Sequence, residues 1–384
     1  MPEPQSTAIH ASGRRTTPPF RADHVGSLLR PPELLRARAE RAAGRLEPEE
    51  LRAVEDEAIR SAVAMQHEVG LQSATDGEFR RSSWHMDFVL ALGGIERAPG
   101  DMQVQFRNPD GVVEFTPAAV HVAGPVHLKQ TIFAQDFEYL KAVTPAGMTP
   151  KLTIPSPSMV HYRGGRAMIS ADVYPDPEQF WSELTDAYAE ELQAMFELGC
   201  RYLQVDDISL AYLNDPRQRE EMAGKGEDSE HLHEKYIRNL NAVLARRPDG
   251  LVVTTHMCRG NFRSSWVAEG GYDFVAEALF GELDVDGFFL EYDDARSGGF
   301  EPLRFVPPGK LVVLGLVTSK RGELESKEEL KRRIERAARY VPIEQLCLSP
   351  QCGFSSTVDG NALTYEQQVA KLRLVVETAE EVWG

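Results

Sequence analysis

From about residue 150 onward the chain repeats one unit, a short apolar run rich in β-branched residues followed by a longer stretch with apolar residues at helical spacing. The short runs fall at 151–155, 202–206, 251–255, 285–290, 311–316 and 345–349. Helical patterns at 136–143, 177–198, 229–244, 272–279, 326–340 and 364–382 precede, separate and follow them. Two earlier strands are predicted at 21–27 and 73–76, with helices at 32–43 and 48–69 between them and a third at 84–92. Strands separated by helices cannot pair as hairpins; they lie parallel, joined by right-handed crossovers. Eight such strands favour a closed TIM (β/α)8 barrel over an open sheet. A dinucleotide-binding sheet would want G-x-G-x-x-G after its first strand, and Gly26-Ser27-Leu28-Leu29 does not supply it.

Between residues 93 and 125 the rhythm breaks. Alternating pieces at 102–106 and 111–115, joined by Asn108-Pro109-Asp110-Gly111, predict a β-hairpin insertion after the second strand. Residues 1–19 are rich in Pro, Ser, Thr and Arg without apolar periodicity and predict a flexible N-terminal extension. The remainder, 20–384, reads as a single catalytic domain.

The net charge of −17 opposes nucleic acid and anionic membrane surfaces, which call for basic patches. No apolar run approaches the roughly 18 residues that cross a bilayer. Four cysteines without a secretory leader pattern suit a reducing compartment, so a cytoplasmic protein is expected. Self-association into a homo-oligomer stays open.

In a barrel of this kind the active site forms at the C-terminal ends of the strands. Those ends carry, in order, Asp23, His24, Gly26 and Ser27; Asp76 and Glu78; Ser156 and Ser158; Asp206 and Asp207; His256 and Cys258; Glu291; Thr318, Ser319 and Lys320; and Cys352. Alternate strand residues face the same way, so His256 and Cys258 can address one ion. With Glu291 and Cys352 they make an imidazole, thiolate and carboxylate set suited to Zn2+ with a replaceable position. The plain alternative for His-x-Cys alone is a satisfied interior histidine beside a buried thiol.

Several of these segments share a further likeness. Thr255-His256-Met257-Cys258, Leu290-Glu291, Ser349-Pro350-Gln351-Cys352-Gly353 and Leu203-Gln204-Val205-Asp206-Asp207, with Val25-Gly26-Ser27 and Asp76-Gly77-Glu78, resemble the catalytic half of cobalamin-independent methionine synthase. The likeness runs from about Phe20 to the C-terminus and is closest to the short, single-barrel members called methionine synthase II. It implies zinc-dependent transfer of a methyl group to the thiol of homocysteine, giving methionine. The donor it implies is a methylated folate or another methyl carrier such as a methylcorrinoid protein. Carried over residue by residue, the metal ligands are His256, Cys258, Glu291 and Cys352, and the amino-acid contacts are Gly26, Ser27, Glu78 and Asp206. Glu78 and Asp206 would clamp an α-ammonium group by charge-assisted hydrogen bonds.

The chain also departs from that pattern. The family's long members have an N-terminal half without a counterpart here. Their proton-donating histidine falls at Lys320, and a lysine donates near neutral pH only where its surroundings lower its pKa. An acidic pterin contact falls at Tyr212, and an aromatic that stacks on the pterin falls near His161 and Tyr162. The folate-contacting arginine has no clear counterpart in the 93–125 insertion. Two rivals follow: an epoxyalkane:coenzyme M transferase type, which calls for cations around a sulfonate, and a non-catalytic zinc protein, which calls for a closed site without a pocket.

Overall fold

Strands of a parallel sheet covered by helices are buried on both faces and read as continuous apolar runs. The computed structural model of the protein, which describes residues 13, 15–98, 104–108, 111–115 and 119–384, follows that rule. In chain order its strands are β1 (Ser73–Ala74), β2 (Gly93–Ala98), β3 (Val104–Asn108), β4 (Gly111–Phe115), β5 (Ala119–His127), β6 (Thr149–Pro155), β7 (Tyr202–Asp207), β8 (Val252–Met257), β9 (Gly287–Glu291), β10 (Leu311–Val317) and β11 (Leu346–Pro350). The main sheet has seven parallel strands in the order β1-β6-β7-β8-β9-β10-β11, so neighbours in space are successive along the chain apart from the insertion. Every residue of β7, β9, β10 and β11 is buried. The result is an α/β fold around one curled parallel sheet.

The strand expected at 21–27 is reduced to one bridge, Ala22 opposite Leu348. Asp23 N donates to Leu348 O at 3.0 Å and Leu348 N to Arg21 O at 2.8 Å. The reason is local: Asp23 accepts from Phe20 N (3.1 Å) and from His24 N (2.8 Å), and such side-chain bonds compete with a ladder. Toward β1 the segment is joined through side chains, Ser73 Oγ to Asp23 Oδ1 at 3.0 Å and Thr75 Oγ1 to Gly26 O at 2.6 Å. Inside the curl Val25, Phe289, Val313 and Cys347 form an apolar cluster separate from the core beneath the helices. Below it Asp23 meets Lys151 Nζ at 3.4 Å and accepts from Tyr202 Oη at 2.9 Å.

Helix ends follow capping chemistry. Asp176 accepts from Glu178 N to start the helix Pro177–Glu197, and Thr364 with Gln367 forms a capping box for Tyr365–Trp383. The helix expected at 84–92 shrinks to Met86–Val89. The one expected at 229–244 begins at Leu232, and two short helices, Ser209–Tyr212 and Pro216–Gly224, stand outside the expected elements.

In the insertion β3 pairs with β4 and β2 with β5, both antiparallel. Residues 102–103 and the turn residues 109–110 lie outside the described residues, as do 1–12 and 14 of the expected extension. β3 is seated on the loop after β8: Arg107 N donates to Trp266 O at 2.7 Å and Trp266 N to Arg107 O at 2.8 Å. The rings of Phe106 and Phe262 meet at 5.2 Å. The insertion therefore stands over the C-terminal ends of the strands.

One buried carboxyl sets a pH dependence of the fold. Glu191, inside Pro177–Glu197, is fully buried; Oε2 accepts from Ile132 N at 2.9 Å and Oε1 has no partner among the described residues. Burial pushes its pKa up to about 8. The folded value lies above the unfolded one, so its contribution is complete below the ordinary carboxylate range and is lost as pH rises through about 8. Thermal melts from pH 5 to 9 should show Glu191→Gln with a flatter profile and a higher midpoint than the native protein at pH 9. A tenfold change in proton affinity is worth about 1.4 kcal/mol, so the difference expected is on the order of a few kcal/mol. Parallel profiles would remove Glu191 from the acid-base account.

Candidate metal centre

Four residues from three chain segments converge on one point at the C-terminal edge of the sheet. His256 is the penultimate residue of β8, Cys258 follows that strand directly, and Glu291 ends β9. Cys352 lies two residues past β11, with β10 between it and Glu291. β10 places Gly315 opposite Glu291 in the register. A Cβ on Gly315 would stand 2.7 Å from both Gln351 Cα and Leu290 O, so only glycine lets the two neighbouring strand ends close over β10 at that height.

The four residues are buried and their donor atoms lie within 4.8 Å of one another. The sulfurs of Cys258 and Cys352 are 3.5 Å apart. Donors about 2.0–2.3 Å from a tetrahedral centre stand roughly 3.3–3.8 Å apart, so the sulfur pair already fits. Among the described residues neither buried ring nitrogen of His256 has a geometrically sound hydrogen-bond partner, and the ring instead interacts with Cys352, which leaves a nitrogen available to a ligand. The contact between the thiols lowers the pKa of Cys352 and raises that of Cys258. Glu291 is held from behind: Oε1 accepts from Arg259 N at 3.0 Å and Oε2 from Arg296 Nη2 at 3.3 Å. A nitrogen, two sulfurs and an oxygen at this spacing suit Zn2+.

A cavity of about 380 Å³ opens over His256, Cys258 and Cys352. Ser27, Glu78 and Asp206 line it, as do Trp84, Met86, Phe106 and Phe262, with the charged Arg97, Arg163 and Asp359. Gly26 has φ +149°, and a Cβ there would meet Thr153 Cγ2 at 2.8 Å and Glu78 Oε1 at 3.5 Å. Its bare backbone lets Glu78 reach Thr153 Oγ1, which donates at 2.8 Å. Glu78 itself adopts φ 60°, a left-handed conformation that costs a non-glycine residue about 1 kcal/mol or more. Burial raises its pKa, against the opposing charge of Arg81, whose Nη1 is 3.6 Å away. Asp206, bonded by Gln204 Nε2 at 2.7 Å, is pushed up to about 7, first by burial.

Other residues expected on the rim have structural partners. Asp23 is sequestered with Lys151, and His24 is buried beside it, its pKa lowered to about 4 by burial and then by Lys151. Asp76 accepts from Glu78 N, and Asp207 caps Ser209–Tyr212 while accepting from Ser158 Oγ and Ser209 Oγ. Ser319 bonds Gln351 and Gly353. His161 belongs to the core, against Trp181 and bonded to Tyr236, whereas Tyr212 does line the cavity. Lys320 is buried and its amino group has no hydrogen-bond partner among the described residues, yet it does not line the cavity; it lies close enough to Asp293 to lower that carboxyl after burial's opposing effect. Unexpected in the wall are His85, Arg97, Arg163 and Asn261. His85 lies in a stretch whose periodicity suggests a helix, and nothing in the spacing marks it; burial, then Arg163, brings its pKa down to about 3.

The profile of the cobalamin-independent synthase catalytic domain matches residues 20–381. The chain belongs to the cobalamin-independent methionine synthase family. It is 46% identical over the full length of both chains to the uncharacterized protein YxjG of Bacillus subtilis. It superposes with a TM-score of 0.75 on the structure of a vitamin-B12-independent methionine synthase homologue from Listeria monocytogenes, at 39% identity, covering 95% of this chain and 98% of that one. A 5-methyltetrahydropteroyltriglutamate–homocysteine methyltransferase of Thermotoga sp. strain RQ2 is 23% identical over 96% of this chain, which spans 45% of that protein. Cobalamin-independent methionine synthases transfer a methyl group to homocysteine, which supports a methyltransferase here. No helix among the described residues is long and apolar enough to cross a membrane.

For this family member, Cys258→Ser or Cys352→Ser should abolish zinc retention through a desalting column, read by metal analysis. Retention of one equivalent by both variants would discard the four-ligand site.

Proposed function

We propose that the protein is a zinc-dependent methyltransferase that methylates the thiol of homocysteine to give methionine. The observation that carries this reading is the sharing of one cavity by the His256, Cys258 and Cys352 donors and two buried carboxyls, Glu78 and Asp206. Zn2+ held by the four ligands would supply deprotonation of a bound thiol at neutral pH. The chain's own residues do the rest. Glu78 and Asp206 bind the α-ammonium group; both are raised by burial and gain most from a cation brought among them. The backbone at Gly26 and Ser27 supports the amino-acid head, with Ser27 O already anchored by Phe354 N at 2.9 Å. Trp84, Phe106 and Phe262 keep water from the thiol and offer flat apolar surface to a donor.

Lys320 is carried over from the family resemblance as the proton donor to the departing methyl carrier; it is a buried amine close enough to Cys352 to favour the thiolate, and it would have to reach the carrier from behind the cavity wall. In the same reading the sheet is a (β/α)8 barrel closed by 21–25, residues 20–384 are one cytoplasmic catalytic domain, and the insertion shapes the donor side.

A second reading draws on Arg163, a cation in the cavity wall with no ion pair among the described residues. It would suit the sulfonate of coenzyme M and an epoxide-opening reaction. The deciding experiment incubates zinc-loaded protein with homocysteine or coenzyme M and offers methylated folate, a methylcorrinoid protein or an epoxide, with products read by mass spectrometry. Methionine from either methyl carrier upholds the methyltransferase and names its donor; a coenzyme M thioether without methionine overturns it.

Glu78→Gln should raise the Kd for homocysteine about tenfold or more while leaving zinc content unchanged, measured by titration calorimetry and metal analysis. Equal affinity would strip Glu78 of its role. Lys320→Ala should lower kcat about a hundredfold with zinc retained. An unchanged kcat would leave Lys320 a bystander.

A further inference from the structure

The four ligands account for only part of the buried charge at the centre. Arg296, 7% exposed, presents its guanidinium to three carboxylates: Glu291 Oε2 at 3.3 Å, Asp293 Oδ1 at 2.8 Å, and Asp294. Its charged end lies 4.8 Å from the centre of the Trp266 indole. Trp266 in turn exchanges the two backbone hydrogen bonds with Arg107 of β3. Three contacts thus join a ligand carboxylate to the insertion hairpin.

A flexible glutamate loses rotamer freedom when it ligates, and outer partners that fix it beforehand reduce that loss. Glu291 has one oxygen tied to Arg259 N and the other to Arg296, so the plane of its carboxylate is set. A guanidinium suits this task because its fork meets several carboxylates at once, which a point-charge ammonium cannot do. Asp293 and Asp294 share the cation, so Glu291 keeps donor strength. The flat stack on Trp266 limits where the guanidinium can sit.

We propose that Arg296 is a positioning residue of the metal centre, and that the seat of the β3–β4 hairpin on Trp266 fixes Arg296 in turn. The proposal rests on the metal-centre reading. It is tested on the full chain by Zn2+ affinity, from competition with a chromophoric chelator, and by the visible spectrum of the Co2+-substituted protein, whose band positions report ligand geometry. Arg296→Leu should bind Zn2+ about tenfold to a hundredfold more weakly and shift the Co2+ bands. Trp266→Ala should move both in the same direction by less. Arg296→Lys should shift the bands with a smaller loss of affinity, and it carries the test if thermal melts show the leucine variant unfolded. Native affinity and native bands in the Arg296 variants would overturn the proposal, and a native Trp266→Ala beside altered Arg296 variants would overturn the part given to the hairpin. Failure of the native protein to bind either metal, or undiminished binding by Cys258→Ser, would instead sink the metal centre itself.

Discussion

Two thiol sulfurs held 3.5 Å apart in a buried site are a demanding arrangement, and most of the local structure exists to enforce it. The residues are 94 positions apart, so their meeting depends on every strand between them. Burial penalises charge on either thiol, and their contact splits them, one made easier to ionise and the other harder. An imidazole that interacts with Cys352 stands beside them, and a carboxylate tied from behind completes the group. His256 and Cys258 favour the ionised form of Cys352 while burial opposes it, and a divalent cation would offer one partner to all four donor groups at once.

The parallel sheet supplies the convergence. In such a sheet all C-terminal ends open to one side, so residues at corresponding heights on β8, β9 and β11 approach each other without special loops. Two details refine this. The register sets Asp206 opposite His256, placing a buried cavity carboxyl beside a candidate ligand. Gly315 then removes the side chain that would separate Glu291 from the end of β11, where the β10–β11 pairing also shifts register. A β-branched residue there would fit the strand's propensity better and would destroy the site, so local preference yields to the tertiary requirement.

What could be read in advance divides along the same line. His256, Cys258, Glu291 and Cys352 were legible because strand alternation and strand ends fix direction with few assumptions. Asp23 and His24 were misplaced on the rim, since the bonds from Phe20 N and His24 N turn this segment inward, a geometry that no periodicity announces. The helix at 84–92 gave way to a loop that donates Trp84 and His85 to the cavity. Arg97 and Phe106 reach the site from the insertion, and Arg163 from a loop after β6; these residues are distant along the chain from His256 and Cys258, and docking rather than pattern brings them there. Arg296 carries no signal in the sequence for the same reason: its place is defined by its partners, not by spacing.

Charge is what binds the two halves of the site. The protein is strongly acidic, yet its cavity region gathers Arg81, Arg163, Arg296 and Lys320 around the ligand set and the Glu78–Asp206 pair. With Zn2+ bound, two thiolates and Glu291 would leave the centre with one surplus negative charge, and Arg296 and Lys320 stand on that side. Glu78 and Asp206 line the cavity; Arg81 and Arg30 offset part of the cost of burying Glu78, and His256 and Arg81 part of that of Asp206, yet burial still wins at both. Both are raised by burial, and Glu78 also bears a left-handed backbone. Under the proposed function, a neutral or anionic head group would leave that desolvation unrelieved, whereas an α-ammonium group would offset it and bring its own thiol toward the sulfur pair. On that reading the cavity selects at one end by charge and at the other by ligand chemistry, and an amino-acid thiol satisfies both.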